Sequence, residues 1–247
     1  MIKEALQYIV GLGEAKVQDI TLPDGTIQTY SDKSLQRLTK HIPMVDNAIY
    51  MSTLTSLVDY IRGKIDSMSE KMIIQVMDPE TVVLFSKLNE ERDRETLVVV
   101  NAKIPEFPFD SFINQETFCI NLQAKFINDP ETDLALVLKF AGTVETGTVT
   151  EYGDDGVTQK ATVKTGIASK SEAVVPNPVT LRPYRTFLEV EQPKSDFIFR
   201  MKQDKYDGIN CAIIEADGGA WKMEATKAIK DYLQYELSEY EQFTVIS

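Results

Sequence analysis

Between residues 53 and 102 one helical stripe is followed directly by three β-branched runs, and that order limits the folds open to this chain. Leu54, Leu57, Val58, Ile61 and Ile65 recur at three and four residues behind a Ser/Thr cap region, which predicts an amphipathic helix over 53–68. Its apolar stripe must pack on something. The natural partner is a sheet built from 72–77, 82–88 and 96–102, runs rich in Val and Ile that are separated by turn or polar residues.

The rest of the chain extends this pattern. Ile2, Ala5, Leu6, Ile9 and Val10 share one face of a short opening helix that Gly11 and Gly13 end, and a hairpin follows over 17–22 and 26–30 around Pro23-Asp24-Gly25. Asn114 caps a helix aligning Phe118, Leu122 and Phe126. Asp129-Pro130 opens another, with Leu134, Val137 and Leu138 inward and Gly142 as its stop. From there the period changes to two, and the polar stretches flanking Gly153-Asp154-Asp155-Gly156 read as a two-stranded ribbon. Strands are expected over 179–181, 184–190, 196–201 and 211–215. A final helix places Trp221, Ala225, Ile229, Tyr232 and Leu233 on one face, which makes the sole tryptophan a core anchor. The tetrapeptide Asp-Pro-Glu-Thr occurs at 78–81 and 129–132, but strand-like residues follow the first copy and helical spacing follows the second, so no internal repeat is read. These elements predict an α+β fold: a mixed or antiparallel sheet packed by amphipathic helices, with a β-ribbon projecting from the middle. One domain over 1–247 is the simplest organisation, and a subdivision would fall between 1–141 and 142–247.

Composition then excludes whole classes of function. One histidine and two cysteines, Cys119 and Cys211, cannot supply the roughly four Cys/His ligands of a structural zinc site. The two thiols are expected to be reduced, in a cytosolic compartment, because no signal-like segment opens the chain. No apolar run approaches the roughly 20 residues of a membrane span. With 26 Lys and Arg against 38 Asp and Glu, the net charge of −12 repels nucleic acid and anionic lipid at long range. Residues 151–205 are the exception, with nine basic and eight acidic side chains.

Catalytic patterns are sparse. His41 lies in no nucleophile turn, Gly11-Leu12-Gly13 follows a helix rather than a strand, and no phosphate loop is present. Glu14-Ala15-Lys16 has the tripeptide of a metal-dependent nuclease but no upstream acidic strand, and Pro193 interrupts Glu189, Glu191 and Lys194. No catalytic residue, metal ligand or cofactor is assigned. Candidate ligand contacts are Lys160, Lys164, Arg182, Tyr184, Arg185 and Arg200, because Arg-Pro-Tyr-Arg-Thr-Phe at 182–187 and Phe-Ile-Phe-Arg at 197–200 interleave cations with aromatic platforms as single-strand binders do. Any half-buried strand shows the same alternation. Gly218 and Gly219, between a strand and the last helix, offer free N–H groups to an anion, although a tight left-handed turn explains two glycines equally well.

The runs Gly153 to Val157, Thr165-Gly166-Ile167-Ala168, Val175 to Phe187 and Ala216-Asp217-Gly218-Gly219-Ala220-Trp221 together resemble the YfdQ-like family of phage and prophage proteins. The resemblance is densest in the second half. It brings no catalytic residues, and it implies a phage-encoded protein of the bacterial cytoplasm that is not a virion part. Three functions follow as expectations. The first is a non-enzymatic binding protein, a homo-oligomer, engaging nucleic acid or a nucleotide-like ligand in replication, recombination or defence evasion. The second is an acidic protein that occupies a host defence or DNA-binding protein by presenting DNA-like charge. The third is a metal-dependent hydrolase.

Overall fold

The structure, a computed structural model, describes residues 2–13, 16–22, 25, 27–31, 37–38, 44–68, 70–90, 92–143, 149–154, 159–164, 170–174, 177–204 and 208–247, with backbone alone for 12–13, 37–38, 143–174 and 204. His41 and Glu14 lie outside the described residues. Two compact units divide the chain, Met1–Met44 and Val45–Ser247.

In the first unit, helix α1 spans Ile2–Gly13, and strands β1 (Val17–Thr21), β2 (Ile27–Ser31) and β3 (Arg37–Leu38) form an antiparallel sheet in that order. Gly25 adopts φ 86° in the hairpin turn, a left-handed value that glycine reaches without steric cost, and its N–H donates to the Leu22 carbonyl at 2.9 Å. Ser31 is the one buried side chain among the described residues of this unit.

The second unit holds two sheets with separate cores. Strands β4 (Ile49–Met51), β5 (Met72–Asp78), β6 (Thr81–Phe85), β7 (Thr96–Asn101) and β15 (Phe243–Ile246) form a mixed sheet ordered β15-β5-β6-β7-β4. The central three pair antiparallel, as the β-branched runs predict; the outer two join parallel and complete the sheet from distant sequence. Ile74, Val76, Val82, Leu84, Val98 and Val100 pack under helix α2 (Leu54–Gly63) and helix α5 (Ala220–Glu236). Thr53 caps α2, its hydroxyl accepting from the Ser56 N–H at 3.2 Å. The helix stops earlier than its apolar spacing predicts: Lys64 turns left-handed at φ 48°, and Ile65, expected in the stripe, is 76% exposed.

The other sheet, ordered β12-β13-β14-β8, comprises β12 (Val179–Leu181), β13 (Ser195–Asp204), β14 (Gly208–Glu215) and β8 (Ile113–Asn114). Helices α3 (Gln115–Lys125) and α4 (Leu134–Thr143) contribute Phe118, Leu122, Leu134 and Val137 to its core. Phe118 stacks on Phe199 at 5.6 Å and Phe109 on Phe197 at 5.7 Å, so the alternate aromatics of β13 are core residues. This core joins residues from both sides of position 142, and the compact units divide after Met44. Strands β9 (Val149–Asp154), β10 (Gln159–Lys164) and β11 (Lys170–Val174) form a third antiparallel sheet in the order β11-β10-β9, one strand more than the predicted ribbon.

Candidate functional site

Around the predicted cation cluster the backbone departs from the expected strand. Residues 184–190, expected as a strand, run as a loop gathered around the buried Gln192 side chain. Its Oε1 accepts from the Arg185 and Thr186 N–H groups at 2.9 and 3.1 Å, and its Nε2 donates to the Phe187 carbonyl at 2.9 Å. A side chain thus satisfies backbone groups that a strand would pair with a neighbour. Thr186 Oγ1 donates to the Pro79 carbonyl at 2.5 Å, and Phe187 enters the core beneath α2 rather than the one lined by Phe197 and Phe199.

Arg182 and Arg185, expected to meet a ligand, are committed to the protein itself. Arg182 donates to Asp129 at 3.2 Å, to Glu191 at 2.6 Å and, through Nε, to the Gln192 carbonyl at 2.8 Å. Lys194 joins the same group through Glu131 at 2.6 Å. The Glu131 backbone N–H, followed by Lys194 and Arg182 and against a smaller desolvation effect, holds the Asp129 carboxyl below its ordinary range. Arg185 is 4% exposed. Its guanidinium lies 4.1 Å from the Trp221 ring centre, and it donates to Glu215 at 2.9 Å and to Ser195 Oγ at 2.5 Å. These contacts join the start of β13 and the end of β14 to the first turn of α5. Arg185, buried with Trp221 and Phe197 against its guanidinium, has no surface to offer a ligand, and the partly buried Arg182 is held by three acceptors of the protein itself.

The two glycines receive a structural role by the same logic. Gly218 and Gly219 take φ 63° and 81°, the left-handed turn that leads into α5. The Asp217 carboxylate accepts from the Gly219 N–H at 2.9 Å and the Trp221 N–H at 3.3 Å, and Ser195 Oγ donates to it at 2.7 Å. The anion position at this helix N-terminus is filled by the chain's own carboxylate. Burial pushes that carboxyl up, but the hydrogen bonds from Ser195, Gly219 and Trp221 and the charge of Arg185 outweigh it and hold the group below its usual value.

The remaining candidates lie on separate elements. Lys160 and Lys164 lie on β10, with side chains outside the described residues. Tyr184 is half-buried and its N–H donates to the Lys125 carbonyl; Arg200 is half-buried, with Nη1 donating to the Phe199 carbonyl at 3.3 Å. Lys202, another cation of the near-neutral 151–205 stretch, has its Nζ 4.2 Å from the ring centre of Phe112, an aromatic that is 40% exposed.

A concave surface forms instead where α2 and α5 both end. Depressions of about 480 and 460 Å³ flank Tyr240. Ile61, Met68 and Phe243 line the first beneath Lys64, Asp66 and Gln242; Arg62, Tyr235, Glu236 and Glu239 line the second. Arg62 is already paired, donating to the Glu236 carbonyl at 2.8 Å and its carboxylate at 2.6 Å. Tyr60 donates to Asp66 at 2.5 Å, and burial together with that carboxylate pushes the phenol up to about 12. Exposed Tyr235 and Ile65 border the surface. Two helix C-termini, each the negative end of a dipole, add to Asp66, Glu239 and neighbouring Glu241 in favouring positive charge here. The sequence signal for this corner was the acidic C-terminal segment Glu236 to Glu241, but only the fold sets it beside Asp66.

Fold and surface together define an α+β protein with mixed and antiparallel sheets. Among the described residues no three His, Cys, Asp or Glu converge as a metal-binding group, and no helix is long and apolar enough to cross a membrane. No family model, curated protein or solved structure matches the chain, and the likeness to YfdQ-like proteins rests on the quoted motifs alone.

Proposed function

We propose that this chain is a non-enzymatic interaction protein whose partner presents a basic face, docked at the Tyr240 corner. The observation that carries the reading is the disposition of charge. Arg182 and Arg185 are spent on internal carboxylates, while Val45–Ser247 holds 21 Lys and Arg against 33 Asp and Glu and so the whole net charge of −12. Long-range attraction therefore favours a cationic partner. Tyr235, Tyr240 and Ile65 supply the aromatic and apolar area that concentrates binding energy at an interface. The YfdQ-like resemblance supports a host DNA-binding or defence protein in the bacterial cytoplasm as that partner, and a self-associated state of the chain goes with it.

The test is capture of a basic host protein on the immobilised full chain, repeated with Tyr235→Ala/Glu239→Lys. Retention that falls at least tenfold in the variant and weakens with salt supports the site; equal retention by both proteins refutes it. One observation favours nucleic acid as a second reading. The Lys202–Phe112 pair is an exposed cation on an aromatic face, the platform single strands stack on, with Lys160 and Lys164 as further phosphate contacts. Filter binding of single-stranded DNA that falls on Phe112→Ala supports this alternative.

A further inference from the structure

We propose that helix α1 and the β1–β2 hairpin of the first unit form the surface through which two copies of this chain associate. The inference rests on the self-association named above and assigns its interface. From Ile2 to Gly11 every residue of α1 is exposed, including Ile2 at 81%, Leu6 at 56%, Ile9 at 61% and Val10 at 58%. Ile2, Leu6, Ile9 and Gly13 follow one another at intervals of four, three and four, the seam spacing that seats one helix against another. A second copy of α1 supplies the same seam, as a two-fold contact requires.

Area and charge identify the occupant. Val17 and Ile27 share one face of the hairpin and are 59 and 67% exposed, while Ser31 is the unit's one buried side chain among the described residues. With Ile2, Leu6, Ile9 and Val10 they leave roughly 700 Å² of apolar residue surface open per chain, near what one partner contributes to a stable interface. A chain of net charge −12 opposes self-association, but these 44 residues hold five Lys and Arg against five Asp and Glu. Two copies therefore meet on neutral ground. A basic partner is drawn to the acidic unit instead.

Sedimentation equilibrium on the full chain across a concentration series decides the matter. The wild type is expected as a dimer, and Leu6→Ala/Ile9→Ala is expected to weaken it at least 100-fold, since four apolar anchors leave each interface. Alanine is the strongest helix former, so α1 is retained in that variant. Gln7→Glu, on the far side of the helix, is expected to leave the dimer intact. A wild type that stays monomeric at every concentration overturns both self-association and this surface. A dimer that the double-alanine variant leaves unchanged overturns the surface alone. A monomer whose own unfolding midpoint falls in that variant places the cover within one chain and also overturns the proposal.

Discussion

Replacing Arg185 by alanine is expected to destabilise the Val45–Ser247 unit by about 3–5 kcal/mol. Three losses contribute. The ion pair with Glu215 is closed on one side only, because the Glu215 side chain is 30% exposed. Its removal therefore falls below the roughly 3–5 kcal/mol of a fully buried pair, at about 1.5–3 kcal/mol once water reaches the orphaned carboxylate. The guanidinium on the Trp221 face, 4.1 Å from the ring centre, contributes about 0.5–2 kcal/mol. The void left beneath it costs about another 1 kcal/mol. Burial already pulls the Arg185 pKa down despite Glu215, and the Nε atom finds no hydrogen-bond partner among the described residues, so part of the loss is offset by relief of desolvation. Arg185→Met, which keeps the packing and discards the charge, is accordingly expected to cost less, about 1–3 kcal/mol. Urea unfolding followed by Trp221 fluorescence measures both, since the sole tryptophan lies against the substituted group. A loss below about 1 kcal/mol for the alanine variant would refute Arg185 as the joint between β13, β14 and α5. A double-mutant cycle with Glu215→Gln showing no coupling would remove the ion pair from the account.

Two further outcomes follow from the titrating groups. The Asp217 carboxyl lies below its unfolded value, so its contribution to stability is present above that value and is lost as pH falls through the depressed folded value. Urea titrations between pH 7 and pH 3 should therefore show an acid-side loss that flattens in Asp217→Asn, and an unaltered pH profile would count against this role. Burial, helped by nearby Cys119, pushes the Cys211 thiol up to about 12. Iodoacetamide at pH 8 is expected to spare Cys211 in the folded protein and to modify it only in denaturant, as peptide mass mapping would show; ready labelling of the native state would contradict that burial.

Elements whose signal is local were legible in the sequence by itself. Asn114 caps the helix it was assigned to, and Thr53, read as the first residue of its helix behind a Ser/Thr cap region, is itself the cap, because each side chain reaches an N–H three residues away. The runs of β5, β6 and β7 carry their own β-branched identity and short connections. Trp221, Ala225, Ile229 and Leu233 share one buried helical face, as their spacing requires. Charge was equally plain in composition, including the acidic C-terminal segment. Tertiary structure alone decided what depends on partners far along the chain. The parallel outer strands β4 and β15 are three and four residues long, too short for periodicity, and exist by pairing with β7 and β5. The stretch at 184–190 alternates like a strand, yet Gln192 offers its backbone a nearer set of hydrogen bonds. The fate of Arg182 and Arg185 turned on carboxylates at 129, 191 and 215, whose proximity no spacing in the sequence encodes. A cation's chemistry is written in its residue type. Whether it faces solvent or a buried carboxylate is settled by the packing of elements remote in sequence.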